Sequence, residues 1–499
     1  MVVVPLSDSS ASVRDGASAP PRALPLEGKT TRAPATAYAV RMVAAAVLTA
    51  VAFATMYSEL LTDALSGSRA AYVVALPVLL AVGAVGYRST PRGVDDVESD
   101  WIVTALIGIS GFVAIYLVNN RMPTLAGFWG VPLLGLPLWL ACLAAVLFGL
   151  RHAVHMWPLW VFAICCATPL PYLLAVAMFG GSDTAAALVV VVLGAVAVYL
   201  GGRLAPTRRR LGVTLGYVLA STAFVVSGVP VSPEVTIVIV GAAAPVGACL
   251  ALHVRSRTAV AHPRPGDHRH SPVSLVAFAV LSAALFALHP TTPRDAAVTA
   301  AQPDWTQRAQ LGEPQSFDFI TRFLGSGATL TRDPVAPAAG LPAAAVDVMS
   351  APTEAALADY SDAVWYPSSR PLDYRPADLS GLTFRPDGAE VIHTDIATAT
   401  DGASQNWYAV TWAWRADDTY QRVTVLVNQD LHSDHQPPPP APLTVMNSVV
   451  EPALWIARQK ATTEHPVDPQ VILRAADVAN RVLAAAGLDS DDAGASTSA

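Results

Sequence analysis

Glu59 and Asp63 stand four residues apart, so a helix running through them would carry both carboxylates on one face. His432 and His435 flank Ser433 and Asp434, with Asp430 just before them. Two imidazoles and a carboxylate in one loop suit a metal, and the remaining ligands would have to come from elsewhere, His393 and His465 being the candidates. A solvated loop at the end of a strand accounts for His432, Asp434 and His435 equally and is preferred. A solvated helix end likewise accounts for Glu59 and Asp63. No residue is assigned a catalytic role and no cofactor is called for.

All four cysteines, Cys142, Cys165, Cys166 and Cys249, fall in apolar runs. Cys165-Cys166 precedes Thr168-Pro169-Leu170-Pro171, where two prolines remove backbone donors and should break or kink a helix. A reactive thiol needs a nearby cation or imidazole. None is close in sequence, so packing is the preferred role of this pair. His262, His268 and His270 lie among arginines and read as a hydrated loop. Trp305, Trp365, Tyr366, Trp407, Trp412, Trp414 and Trp455 crowd the C-terminal part. A sugar or peptide groove would use such aromatics; core packing needs no ligand for at least three of them.

The elements that would position these groups follow from composition. The chain has 499 residues, 53% of them hydrophobic and only 14% charged, far from a soluble average. Apolar runs are expected as transmembrane helices at about 40–57, 70–87, 101–119, 130–150, 157–179, 184–202, 211–229, 235–253 and 271–289, most near the ~20 residues that cross a bilayer. Their cores hold no Asp, Glu, Lys or Arg, which disfavours a carboxylate-driven pump. The absence of a Gly-Lys-Ser/Thr phosphate loop disfavours ATP-driven transport. Arg88, Arg151, the Arg203/Arg208/Arg209/Arg210 cluster and the stretch from Arg255 fall on one side, whereas the opposite loops carry only Arg69 and Arg121. Nine spans with a cytoplasmic N-terminus and an outer C-terminal part satisfy that asymmetry. The first span and the eighth, broken by Pro245, are the weakest points of the count.

The expected organisation is a disordered cytoplasmic leader at 1–36, a transmembrane domain at 37–289, an extracytoplasmic α+β domain at 290–487 and a disordered tail at 488–499. The acidic residues are concentrated outside: residues 290–499 hold 26 of the 38 Asp+Glu and 13 of the 31 Lys+Arg. Neither part offers the dense basic face of a nucleic-acid binder. In the outer domain Asn406–Trp414 and Tyr420–Asp430 read as a hairpin. Tyr408, Val410, Trp412 and Trp414 alternate to a buried face and Thr411 to the opposite, solvent-facing one. After Pro437–Pro440, two closing helices are expected from Met446, Val449, Ala453 and Ile456, and from Val471, Ala475, Val478 and Val482.

The stretch 58–202 resembles the membrane part of the exosortase/archaeosortase family. The features that carry the likeness are Ser-Gly-Ser-Arg-Ala-Ala-Tyr at 66–72, an Arg-rich inner loop, an outer loop leading into Gly130–Gly149, Arg151 through Trp160, and Pro169-Leu170-Pro171. The resemblance implies an enzyme that cuts and anchors exported proteins with an outer Cys, an Arg and a His, fused to an extracytoplasmic domain. The Ala-Cys-Ser-Gly-type segment of that family is missing, Cys249 after Gly247-Ala248 being its nearest echo, so no catalytic residue is carried over. Acidic residues in the first outer loop, as at Glu59 and Asp63, also resemble membrane glycosyltransferases that use lipid-linked sugars. The function expected first is a cell-envelope membrane protein, exosortase-like in architecture, whose outer domain binds or positions an envelope component or exported protein. A membrane-embedded transpeptidase or glycosyltransferase is the alternative, and a non-catalytic scaffold the third. The lipid bilayer is the one partner all three share.

Overall fold

The computed structural model describes residues 33–88, 97–121, 123–254, 272–288 and, with interior breaks at 337–339, 361, 367–372, 377–385, 387–388, 394–405, 432–434 and 459–466, residues 299–488. Its first part is helical throughout: α1 Ala33–Ala52, α2 Ala54–Leu65, α3 Leu76–Ala84, α4 Val97–Arg121, α5 Pro123–Trp129, α6 Gly135–Phe148, α7 Leu150–His155 and α8 Trp157–Ala167. It continues through α9 Pro169–Met178, α10 Asp183–Gly201, α11 Thr207–Val226, α12 Pro233–Val238, α13 Ala244–Val254 and α14 Pro272–Leu288. Among the described residues four helices are long and apolar enough to span a membrane: Glu98–Asn120, Val131–Phe148, Asp183–Gly201 and Pro233–His253. The number is up to six if each of two bent pairs is one span. Ala71–Tyr87 and Val273–Leu288 are shorter apolar helices, and α11 opens on Arg208, Arg209 and Arg210.

The bends have local causes. α8 and α9 meet at 71°, with Thr168 extended and Pro169 starting the new helix, as the two prolines require. Carbonyls left open there are taken up by the Tyr72 hydroxyl, which donates to Cys166 O at 2.8 Å and Thr168 O at 3.3 Å. α1 and α2 meet at 76° around Phe53, so the first apolar run is a bent pair rather than the single straight span expected at 40–57. Ahead of Pro245 the helix widens into a π turn at Ile239–Ala243 and continues. The ring's lost donor is absorbed without the break that the sequence suggested.

The second part is built on one eight-stranded sheet. Its strands are β1 Ala300–Ala301, β2 Gln315–Ser316, β3 Thr329–Pro334, β4 Ala344–Ala351, β5 Asp373–Pro376, β6 Glu390–His393, β7 Trp407–Ala416 and β8 Thr419–Asn428. The order is β2-β3-β4-β8-β7-β6-β5, antiparallel along that path, with β1 added parallel to the end of β7. The central β7–β8 hairpin turns on Asp417-Asp418, Asp417 having φ 56°. On one face Tyr408, Val410, Trp412, Trp414, Val423, Val425 and Val427 pack under α19 Pro469–Ala485, whose Val471, Ala475, Val478 and Val482 are fully buried. Trp305, in α15 Trp305–Arg308, meets Trp414 edge-on at 5.1 Å and shares Gln421 Oε1 with it.

Two expectations for this part fail. Thr411 does not meet solvent: it is 2% exposed, and its hydroxyl lies 3.2 Å from that of Thr424. The register explains why. Arg332, Asp347, Thr424, Thr411 and Glu390 are cross-strand neighbours in succession, a polar row over five strands. Arg332 grips Asp347 through two bonds of 2.7 and 2.8 Å and donates to Pro437 O at 2.8 Å. The Pro437–Pro440 segment therefore covers the second face instead of merely ending the sheet. Nor do both late helices close the core: in α18 Glu451–Arg458 and the π turn before it, Met446 and Leu454 stay half exposed.

Candidate functional site

The sheet domain is packed against the helical part, and one hydrophobic core crosses between them. Tyr72, Leu170, Tyr172 and Leu173 from the helices belong to the same buried cluster as Phe323, Leu357, Tyr360 and Trp365 from the sheet domain. Burying those faces together is the nonpolar part of the contact; its direction and register come from a polar clasp.

The clasp is built from four short segments. After α2 the chain turns through Gly67 to Ser68 and Arg69, where Ser68 is 7% exposed and the Arg69 side chain 14%. α17 Glu354–Ala358 is capped at its start by Thr353, whose hydroxyl accepts from Ala356 N, and Asp359 follows its end. Asp359 Oδ1 accepts from the Ser68 hydroxyl and Oδ2 from the Arg69 backbone N–H, both at 2.5 Å. The Arg69 guanidinium turns the other way, donating to Asp183 Oδ1 at 2.7 Å and to the carbonyl of Gly181. Asp183 is the first residue of α10, behind the Ser182 cap that accepts from Ala185 N, where a carboxylate also meets the positive end of the helix. Gly181 has φ 74°, and a Cβ there would overlap the carbonyl of Arg322 in α16 Thr321–Leu324, so glycine lets the α9–α10 turn and α16 touch. Trp129 Nε1 makes a further crossing bond, to Ser448 O at 2.8 Å.

The electrostatics of Asp359 oppose one another. Burial pushes its carboxyl up to about 7, while the Ser68 hydroxyl, the Arg69 N–H and the Arg69 charge pull it down and Asp63 pushes it up again. Burial also raises the Tyr360 hydroxyl, with Asp359 adding to it. Arg69 thus bonds two carboxylates, and one of them, Asp359, also accepts from the Ser68 hydroxyl. Chemically this is a filled arrangement, since both Asp359 oxygens and the Ser68 hydroxyl are consumed in holding one part to the other.

The residues singled out from the sequence lie elsewhere. Glu59 and Asp63 share α2, and the Asp63 backbone carbonyl accepts from Ser66 N and Ser68 N at the foot of the clasp. His432 and Asp434 lie outside the described residues; His435 is exposed and its carbonyl accepts from Asn428 Nδ2 at 3.0 Å. His465 and the side chain of His393 lie outside them too. Among the described residues no group of three or more His, Cys, Asp or Glu could hold a metal. Cys142, Cys166 and Cys249 are buried and Cys165 is exposed. Cys249 Sγ approaches His253 Nδ1 at 3.7 Å, but that nitrogen is 2.8 Å from the Cys249 carbonyl, one helical turn back. A ring nitrogen that donates to a main-chain carbonyl is not a base for the thiol. Trp305, Trp365, Trp407, Trp412 and Trp414 are all fully or nearly buried, which makes them core and not groove.

From the sequence, Ser68 stood out only inside a family likeness, Arg69 there and among the outer-loop arginines, and Asp183 and Asp359 not at all. Two signals were present. Arg69 is one of two cations in loops otherwise poor in them, and Gly180-Gly181-Ser182-Asp183 is a turn followed by a capped helix start. Comparison with family models, curated proteins and solved structures finds no match to the chain.

Proposed function

We propose that this chain is an integral protein of the cell membrane, exosortase-like in architecture, that holds its sheet domain rigidly at the outer surface to bind or position an envelope component or exported protein. The clasp carries this reading: Ser68, Arg69, Asp183 and Asp359 fix the sheet domain to helix ends, as a positioning device needs and a freely tethered domain does not. Ser68 and Arg69 belong to the 66–72 segment on which the family likeness rests. Membrane residence is supported by the outward faces of the helices. Ile102, Leu106 and Ile109 of α4 are each about two-thirds exposed, an apolar surface that water does not tolerate on a soluble monomer.

The orientation, with nine crossings and a cytoplasmic N-terminus, is supported by where the charges gather. Arg203 lies over Tyr87 at 4.9 Å, Arg210 over Tyr199 at 3.3 Å, and Arg209 donates to Ala251 O, all at the helix ends remote from the clasp. Met446 and Leu454, half exposed on the segment whose Ser448 carbonyl accepts from Trp129, suit a helix lying on the bilayer surface. The test sets positioning against thiol chemistry in a deletion strain complemented with each variant and challenged with detergent. Asp359→Ala should reproduce the deletion at normal protein level, whereas the double change Cys165→Ala/Cys166→Ala should leave resistance intact. The opposite result would replace positioning with a thiol enzyme.

A further inference from the structure

Away from the clasp, α1 and α2 stand off from α3, α6 and α8 and leave a cavity of about 420 Å³, within the ~300–1,000 Å³ range of ligand sites. It runs from Leu60, Val73 and Leu133 at the sheet-domain end to Met42, Ala84 and Phe148 at the other. From Leu133 to Phe148 that is about 22 Å at 1.5 Å per helical residue. Ala50, Ala54, Pro77 and Ala81 in its wall are exposed, so the slot opens on the side of the bundle.

The wall tells what fits. Only Thr49, Tyr57 and Trp160 among its residues carry a hydrogen-bonding side-chain group. Each turns its donor back to the protein: Thr49 to Ala45 O at 2.7 Å, Tyr57 to Val74 O at 3.4 Å, Trp160 to Ala153 O at 2.7 Å. A polar occupant would lose its water and gain no bond. A helix of a second copy seated in the slot would appear as a dimer mass in the measurement below and would overturn the proposal. The wall suits a narrow hydrocarbon chain entering from the side. An acyl chain crosses one leaflet, ~15 Å of the ~30 Å hydrocarbon core, and lies within the slot, whereas a polyprenyl carrier is several times too long.

We propose that the slot between α1–α2 and α3, α6 and α8 is a binding site for one acyl chain of a bilayer phospholipid. The proposal rests on the membrane reading, and cell fractionation separates the two: a chain recovered in the aqueous fraction refutes that reading, whatever it binds. For the site itself, the full chain is reconstituted in vesicles of phosphatidylethanolamine and phosphatidylglycerol containing a trace of polyprenyl phosphate, extracted in detergent and weighed by native mass spectrometry. One phospholipid per chain should survive extraction. Ala81→Phe and Ala50→Phe, which place a ring in the slot, should each lower that occupancy at least tenfold, while Ala114→Phe on the exposed face of α4 should leave it unchanged. Thermal melting shows which variants are folded, and either slot variant that melts like the parent decides the matter. No retained lipid, a polyprenyl adduct alone, or full phospholipid occupancy in a folded slot variant would overturn the proposal.

Discussion

Asp359→Ala takes away the acceptor of two hydrogen bonds of 2.5 Å, from the Ser68 hydroxyl and the Arg69 N–H. Bonds to a charged group contribute ~1.5–3 kcal/mol each. Because burial raises the Asp359 carboxyl to about 7, so that it is part protonated at neutral pH, the lower half of that range applies, and the variant should weaken the clasp by ~3–4 kcal/mol. At 1.4 kcal/mol per tenfold, local opening becomes roughly 100- to 1,000-fold more frequent. Hydrogen exchange in detergent reads this directly, since amides protected only by the docked arrangement exchange through local opening. Exchange should accelerate by two to three decades at Ser68–Tyr72 and at Ala355–Asp359. The β7–β8 amides under α19, whose core does not include the clasp, should keep their protection. Unchanged exchange at Ser68–Tyr72 would show that the apolar contact alone holds the domain. Equal acceleration in β7 and β8 would show that the clasp is part of the sheet's own stability; either result refutes the reasoning.

Trp412→Ala should lower the melting point far more than Thr411→Ala, because the indole is 2% exposed in the α19 core and truncating such a ring costs ~3–5 kcal/mol. Thr411→Ala strands the buried Thr424 hydroxyl and should cost ~1–2 kcal/mol, so equal melting points for the two would contradict the packing. Asp347→Ala leaves the Arg332 guanidinium buried without its carboxylate, at ~3–5 kcal/mol, whereas Arg332→Met with Asp347→Leu should restore most of the loss in the same melts. The clasp should also depend on pH. Burial raises the Asp359 carboxyl to about 7, so the folded protein holds that proton more tightly than the unfolded chain, whose carboxyl sits near ~4. Its contribution is full below that lower value and is lost as pH rises through about 7. Exchange at Ser68–Tyr72, corrected for its intrinsic rate, should therefore quicken from pH 5 to 8 in the parent and stay level in Asp359→Asn.

The hairpin was legible because alternation of Tyr408, Val410, Trp412 and Trp414 is a local pattern, and one buried face fixes the register. Pro169 and Pro171 announced the α8–α9 bend for the same reason: the steric cause lies within four residues. Thr411 was misread because its neighbours on that face are polar too. Only the folded sheet lines up Arg332, Asp347, Thr424 and Thr411, and only the Pro437 segment covers them. The clasp was the least legible feature. Ser68 and Asp359 are 291 residues apart, and no periodicity joins them. The α1–α2 bend left no sequence mark either, since Phe53 is neither proline nor glycine and the turn is set by what packs around it.

The central claim is that the sheet domain is held at the outer face of a membrane. In a chain freed of its own cysteines, Asp418→Cys puts a thiol on the exposed β7–β8 turn and Thr207→Cys puts one at the exposed start of α11. Intact cells are treated with a membrane-impermeant maleimide. The cysteine at 418 should label at once and the cysteine at 207 only after the cells are permeabilised; labelling at 207 with protection at 418, or at both in intact cells, would contradict the claim.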